Sequence, residues 1–131
     1  MADITSLYQQ ADWKKEKHVP VIDCPDTVKS GEAVTVNVTI GKEIPHPNTT
    51  EHHIVWIELF FKPNDDKFAY SLGRFELAAH GASVAGANQG PAYTEPHVSI
   101  VVKLVKSGTL LATSWCNIHG LWQDSKPVAV V

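Results

Sequence analysis

The sequence predicts an all-β fold, an immunoglobulin-like antiparallel β-sandwich of about seven strands with a short N-terminal helix or loop. Two observations lead to this prediction. Beyond residue 18, the apolar residues fall into short strand-like runs separated by turn-forming residues, and no long stretch has helical periodicity. A length of 131 residues is usual for one domain, so we expect a single domain over residues 1–131.

The individual elements follow from local patterns. Residues 3–11 place apolar side chains at helical spacing after Asp3, which predicts one short helix. The run AVTVNVTI alternates apolar and polar residues, as a half-buried strand does. Strands are predicted at residues 19–22, 33–40, 52–61, 68–77, 97–105, 109–115 and 126–131.

Two connections between the predicted strands are informative. The sequence KSG at residues 106–108 predicts a hairpin between the strands on either side of it. Residues 78–96 form a Gly/Ala/Pro-rich connection, whose length suggests a functional or interface loop.

Composition and charge exclude several classes of protein. The net charge of −3 gives no indication of a nucleic-acid or membrane partner. No apolar run approaches the ~20 residues of a membrane span. The N-terminal residues lack the basic start and apolar core of a signal peptide, so a cytoplasmic location is expected.

Seven histidines and two cysteines are the unusual part of the composition. Histidine is the commonest metal ligand in proteins. Three groups at the ends of predicted strands could carry chemistry: His18 beside Glu16 and Lys17, then His46, His52 and His53 in PHPNTTEHH, and finally Cys116 and His119 in CNIHG. Binding residues favour such loops on a rigid scaffold.

Each motif also has a purely structural interpretation. CNIHG places Cys116 and His119 close enough to bind one metal ion, but it also fits a tight turn with a buried cysteine. His46 lies between two prolines, which stiffen the backbone around it. Strand alternation would place His52 and His53 on opposite faces, so at most one joins His46, and the alternation does not say which.

The donor set narrows the choice of metal. One thiolate and up to four imidazoles exceed the four ligands of structural zinc, and they suit a redox-active first-row metal such as iron. A blue-copper electron carrier is the alternative, with Gln123 in the axial position because the only methionine is Met1. A β-sandwich interaction module whose histidines have no role is a third hypothesis.

Three motifs, EKHVPVI, GKEIPHPNTTEHHI and SWCNIHGLW, resemble those of the superoxide reductases of the one-iron neelaredoxin type, in the desulfoferrodoxin family. The resemblance extends from Trp13 to Trp122 and keeps the order and spacing of the motifs. It implies one-electron reduction of superoxide to hydrogen peroxide at a mononuclear non-haem iron. It also implies an electron donor such as rubredoxin and a homo-oligomer, either a tetramer or a dimer.

The resemblance also implies a role for each motif residue. It assigns the iron four equatorial histidines and one axial cysteine: His18, His46, His52, His119 and Cys116. Glu16 matches the glutamate that can bind ferric iron at the sixth position, and Lys17 matches the lysine that attracts the superoxide anion.

Several nearby residues complete the prediction. Lys14 and Lys15 would add to a local positive charge around the iron. No role is predicted for the histidines and the cysteine outside the motif positions: His53, His80, His97 and Cys24.

Overall fold

The computed structural model describes residues 1–131 and contains eight β-strands and one short 3₁₀ helix. The 3₁₀ helix spans Ile4–Leu7. The strands are β1 (Pro20–Asp23), β2 (Thr27–Val28), β3 (Ala33–Ile40), β4 (Ile54–Pro63), β5 (Tyr70–Glu76), β6 (His97–Lys103), β7 (Gly108–Cys116) and β8 (Gly120–Val130). The predicted all-β class is therefore confirmed.

The strands form two sheets that enclose one apolar core. One sheet has the order β1-β3-β6 and the other has the order β2-β8-β7-β4-β5. All the pairings are antiparallel except the two-residue pairing of β2 with β8. The core receives Val36 and Val38 from β3 and Leu59 and Leu110 from the larger sheet, all of them fully buried. This arrangement is the predicted sandwich.

The predicted hairpin across residues 106–108 is wrong. β6 pairs with β3 in the smaller sheet, whereas β7 pairs with β4 and β8 in the larger one. The connection between them crosses the core edge at Leu104, which is only 4% exposed. A short turn-forming sequence therefore joins the two sheets here, because burying Leu104 between the layers takes precedence over local strand pairing.

The two ends of the chain also differ from the prediction. Asp3 does cap a helical turn by accepting a hydrogen bond from the Thr5 amide, but the helix is only four residues long. β8 begins at Gly120, directly after the CNIH motif, and is 11 residues long. The sequence did not predict β2, a strand too short to show periodicity.

His52 and His53 both precede β4, so strand alternation does not orient them. Their segment bends, and Thr49 caps the bend by accepting the amide of His52 with its hydroxyl oxygen at 3.0 Å. The pairing of β4 with β7 also shifts register between Ile54 and Trp56. This bulge also interrupts the regular alternation of β4 next to these two histidines.

The candidate metal-binding residues come together at one end of the sandwich. His18 precedes β1, and the connection from β3 to β4 carries His46 and His52. At the same end, Ile54 of β4 pairs with Cys116 of β7, which pairs with Gly120 of β8. Antiparallel topology thus brings residues from distant parts of the sequence to one edge. The protein has no helix that is long and apolar enough to span a membrane.

A buried hydroxyl gives a test of the packing in the larger sheet. Ser114 of β7 is fully buried, and its Oγ has no hydrogen-bond partner. An unpaired buried hydroxyl destabilises the native state, so Ser114→Ala should raise the free energy of unfolding by about 1 kcal/mol. Urea unfolding of the metal-free protein measures this change. Ser125→Ala, at an exposed position on β8, is the matched control and should have almost no effect; a clear loss of stability in Ser114→Ala would contradict the prediction.

Candidate metal centre

The motif CNIHG forms a tight hairpin loop between β7 and β8. Cys116 pairs with Gly120, so only three residues turn the chain. Gly120 adopts a left-handed conformation with φ of 85°, which glycine tolerates best. The His119 amide donates to Sγ of Cys116 at 3.3 Å, so the loop aims a backbone N–H at the sulfur. The motif therefore forms a tight turn, and this turn is compatible with metal binding by Cys116 and His119.

The loop before β4 is shaped around His46. Gly41 has φ of 80°, and a Cβ at this position would lie 2.6 Å from the His46 backbone nitrogen, so only glycine fits. His46 is 8% exposed, and its Nδ1 donates to the Pro47 carbonyl at 2.6 Å. This hydrogen bond leaves Nε2 as the free nitrogen of the neutral ring.

Asn117 ties the loop before β4 to the hairpin. Its side-chain oxygen accepts the His53 amide at 2.9 Å, and its side-chain nitrogen donates to the Glu51 carbonyl at 2.9 Å. Its own amide donates to the His53 carbonyl at 3.2 Å. Three hydrogen bonds from one residue thus fix the segment that carries His52 relative to the loop that carries Cys116 and His119.

His18 is buried and is held on two sides. A carboxylate oxygen of Glu16 contacts Nδ1 of His18 and accepts the His18 amide at 2.7 Å. On the ring face, Trp122 stacks with a centroid distance of 5.0 Å and an interplanar angle of 10°. The Trp122 indole donates to the His119 carbonyl at 3.3 Å, so one tryptophan contacts two of the candidate ligands. The inner nitrogen of His18 is therefore Nε2.

The four candidate imidazoles form a near-square ring. Neighbouring centroids around it are 4.6–5.0 Å apart, with interplanar angles of 55–80°. The order around the ring is His18, His46, His52, His119, and the His18–His52 diagonal measures 6.3 Å. Cys116 is fully buried and belongs to the apolar core, whereas His119 of the ring is exposed.

The donor atoms of these residues converge. The nitrogen or sulfur atoms of His18, His52, Cys116 and His119 all lie within 4.8 Å of one another, and Nε2 of His46 is 3.5 Å from Sγ of Cys116. Nδ1 of His119 lies 3.0 Å from Nε2 of His18 and 3.2 Å from Nε2 of His52. A proton on Nδ1 of His119 can satisfy only one of these two lone pairs. A metal cation bound by all the rings would satisfy every lone pair, so the donor set fits a metal ion.

The surroundings favour the neutral form of His18, His46 and His52, and a histidine must be neutral to bind a metal. Burial lowers the pKa of His46 to about 4. Burial also lowers the pKa of His18, although the Glu16 carboxylate opposes this effect, and it lowers the pKa of His52. The positive charge of Lys17 contributes to the lowered pKa of all three rings, so its ammonium group acts on the cluster. Neutral rings bind a cation without first releasing a proton.

The structure places the other predicted residues as follows. Glu16 contacts the outer nitrogen of His18, not the inner nitrogens of the cluster. Lys14 lies over the ring of Trp13, with its Nζ 5.6 Å from the centroid, and Lys15 is exposed. The three remaining histidines lie outside the cluster: His97 contacts Thr39, while His53 and His80 stack on each other.

Sequence reasoning missed the residues that orient the candidate ligands. Trp122 and Asn117 lie inside the motif SWCNIHGLW, but nothing in their spacing indicated a stack or a bridge between loops. Gln9 was also missed; its side chain donates to the His119 carbonyl at 2.8 Å from a distant part of the sequence. Such contacts depend on tertiary structure and leave no local pattern.

Comparison with known proteins gives consistent matches. The sequence model of the desulfoferrodoxin family matches residues 10–125. Neelaredoxin from Megalodesulfovibrio gigas is 54% identical over 95% of each chain, and superoxide reductase from Pyrococcus furiosus is 54% identical over 92% of this chain and 95% of its own. The structure of reduced superoxide reductase (neelaredoxin) from Archaeoglobus fulgidus superposes with a TM-score of 0.88 at 57% identity, covering 94% of this chain and 98% of that chain.

The lowered pKa of buried His46 makes the metal-free protein sensitive to acid. The unfolded chain binds a proton near the ordinary histidine pKa of 6.5, whereas the folded chain resists protonation down to about 4. Stability is therefore lost as the pH falls through this interval, and His46 alone contributes roughly 2 kcal/mol of loss near pH 5. Urea unfolding at pH 7 and near pH 5 measures the loss.

Two variants identify the residue that causes this loss of stability at acid pH. His46→Gln should reduce the loss, whereas His97→Gln, at an exposed histidine, should retain it. An equal loss of stability in wild type and in His46→Gln would show that His46 does not cause it.

Proposed function

The chain belongs to the desulfoferrodoxin family, and on this premise we propose that it is a superoxide reductase. The observation that carries the proposal is the convergence of four imidazole nitrogens and one thiol at a partly open end of the sandwich. In the proposed reaction, one superoxide anion takes up one electron and two protons to give one hydrogen peroxide.

We propose that the residues of the cluster hold one iron ion per chain: His18, His46, His52 and His119, with Cys116 as the thiolate ligand. Five protein donors exceed a closed zinc site and leave room for a reacting molecule at a six-coordinate metal. Ferrous iron, when bound, supplies the single electron that superoxide accepts.

Cys116 has the surroundings of a thiolate ligand. Its side chain is fully buried, and its sulfur accepts the His119 amide at 3.3 Å. A hydrogen bond to the sulfur stabilises its negative charge and tunes the reduction potential of a thiolate-bound metal. Superoxide would approach the cluster of four imidazoles from its solvent-facing side, where His119 is exposed.

Lys17 attracts the substrate. The protein has a net charge of −3, so an anion approaches against the overall charge. Lys17 adjoins His18 in the sequence, and its charge already lowers the pKa of three imidazoles in the cluster. Local positive charge raises the local concentration of an anion and increases its association rate.

Glu16 orients His18 in this structure. The Glu16 carboxylate and His18 form a carboxylate–histidine pair. Such a pair fixes the tautomer and the ring orientation of many histidines that bind metals. The role implied by the family, binding of ferric iron at the sixth position, also stays a proposal. It requires the carboxylate to leave both the amide and Nδ1 of His18.

Three further properties are also proposed, and the first two come from the family resemblance. The electron donor is a rubredoxin-like protein, the chain forms a dimer or a tetramer, and the enzyme works in the cytoplasm. A blue-copper carrier is not favoured, because that site uses two histidines and one cysteine with a weak axial ligand, whereas four imidazoles and a thiol converge here.

The products of the reaction test the proposed activity. Pulse radiolysis of the reduced, iron-loaded protein should show second-order loss of superoxide with one hydrogen peroxide formed per superoxide consumed. Dismutation would give one hydrogen peroxide and one dioxygen for every two superoxide anions. Dioxygen release at that ratio, or full copper occupancy in protein purified from its native host, would contradict the proposal.

The two cysteines should respond differently to substitution. Cys116→Ser removes the thiolate, so the visible band of the oxidised protein and most of the activity should be lost. Cys24→Ser should change neither, because Cys24 lies at the other end of β1 from His18. Visible spectra and iron content of the two variants measure the difference, and equal losses would show that the ligand has been wrongly assigned.

Lys17 and Glu16 should act at different stages. Lys17→Ala should slow the reaction with superoxide about threefold to tenfold, and the effect should shrink as salt rises, because salt screens the attraction between this half-buried lysine and the approaching anion. Once loaded with iron, Glu16→Ala should keep most of the rate and shift the visible band of the oxidised protein, because the carboxylate could no longer bind ferric iron. Its affinity for iron should fall, because His18 loses the carboxylate that orients it.

Lys29→Ala is the control for loss of one positive charge, since Lys29 follows β2 and lies outside the cluster. Pulse radiolysis at two salt concentrations measures all three variants. A rate in Lys17→Ala no lower than that in Lys29→Ala would remove the steering role.

A further inference from the structure

Two histidines outside the metal cluster form a closely packed pair. The rings of His53 and His80 stack with a centroid distance of 3.6 Å and an interplanar angle of 4°. His53 directly follows the candidate ligand His52, whereas His80 lies near the start of the Gly/Ala/Pro-rich connection of residues 78–96. The pair therefore joins this long connection to the loop that carries two candidate ligands.

The His80 ring is fixed at both nitrogens. It is 7% exposed, with Nδ1 2.7 Å from the side-chain oxygen of Asn48 and Nε2 2.6 Å from the Leu77 carbonyl. The Asn48 amide nitrogen donates to the Thr94 carbonyl at 3.1 Å, which orients its oxygen toward His80. Both partners of the ring are acceptors, so it donates to both when each nitrogen carries a proton. Burial lowers the pKa of His80, while the Leu77 carbonyl opposes this effect.

Further contacts join the same two segments. The Thr50 hydroxyl donates to the His80 carbonyl at 3.1 Å. Asn88, in a left-handed conformation with φ of 60°, accepts the Thr50 amide with its side-chain oxygen at 2.8 Å. The 78–96 connection thus holds the middle of the ligand loop, while Asn117 holds its end.

From these contacts we propose that His80 is a positioning residue for the metal centre, fixing the ligand loop through Asn48 and His53. Asn48 is two residues from His46, and His53 is the neighbour of His52, so the ring supports the loop beside both ligands. His80 contacts no metal-binding atom and acts only through these two partners. The inference rests on the proposed metal-binding function.

Loss of the His80 ring nitrogens would remove the N–H that the neutral ring supplies to the Asn48 side-chain oxygen or to the Leu77 carbonyl. A phenylalanine at this position keeps a flat ring against His53 but cannot hydrogen-bond to Asn48 or Leu77. The loop would then shift to regain partners, because unpaired buried groups are costly. Removing groups that orient metal ligands typically weakens metal affinity by about 10- to 100-fold.

Cobalt(II) titration of the metal-free protein tests the inference without relying on enzyme activity. His80→Phe should raise the dissociation constant for cobalt(II) about tenfold and alter the visible spectrum at saturation. Asn48→Ala should act in the same direction. The double variant should bind cobalt(II) about as weakly as His80→Phe alone, because both substitutions break the same contact between His80 and Asn48. His97→Phe, at an exposed histidine outside the cluster, should match wild type.

The cobalt(II) titrations can contradict the inference in several ways. Unchanged cobalt(II) affinity and spectrum in His80→Phe and Asn48→Ala would overturn the inference, even if urea unfolding shows a loss of stability. Fully additive losses in the double variant would also overturn it. If His80→Phe does not fold, Asn48→Ala alone decides, because it removes only one side-chain amide. Failure of the wild-type protein to bind cobalt(II) would instead overturn the proposed metal-binding function, and the inference with it.

Discussion

In two of the four clustered imidazoles, a hydrogen-bond partner on the outer nitrogen determines what the inner nitrogen can do. Glu16 occupies Nδ1 of His18, and the Pro47 carbonyl occupies Nδ1 of His46, so in both rings Nε2 faces inward with a lone pair. Burial then keeps His46 neutral. Inward-facing lone pairs repel one another unless a proton or a cation lies between them. The strand ends around the cluster hold these lone pairs close together, in positions where a proton or a cation must lie between them.

The sandwich provides rigidity, whereas the loops provide chemistry. β4, β7 and β8 are paired along their length up to the residues that begin the site. Beyond them, the loops are fixed by side chains such as Asn117 and by rings such as Trp122, and not by backbone ladders. A histidine on such a loop keeps its direction only while these supports are in place, so they belong to the centre as much as the candidate ligands do.

The fold class and the motif residues could be predicted because they depend on local patterns. Alternation gave β3 with its observed bounds, and short spacing placed Cys116 and His119 on one turn. The choice between His52 and His53 could not come from alternation, because both lie in a bend before the strand. The assignment of β6 and β7 to different sheets, and the pairing of His53 with His80, depend on contacts between segments distant in sequence.

The spread of the donors along the chain has a consequence for unfolding. His18 and His119 approach to 3.0 Å although 101 positions separate them in sequence, and His46 and Cys116 meet across 70 positions. An ion bound by these residues would therefore be a reversible cross-link that closes most of the polypeptide into loops. Closing loops of this length restricts the unfolded chain in the same way that a disulfide does. A metal-loaded centre would thus cross-link a protein whose two cysteines are both free.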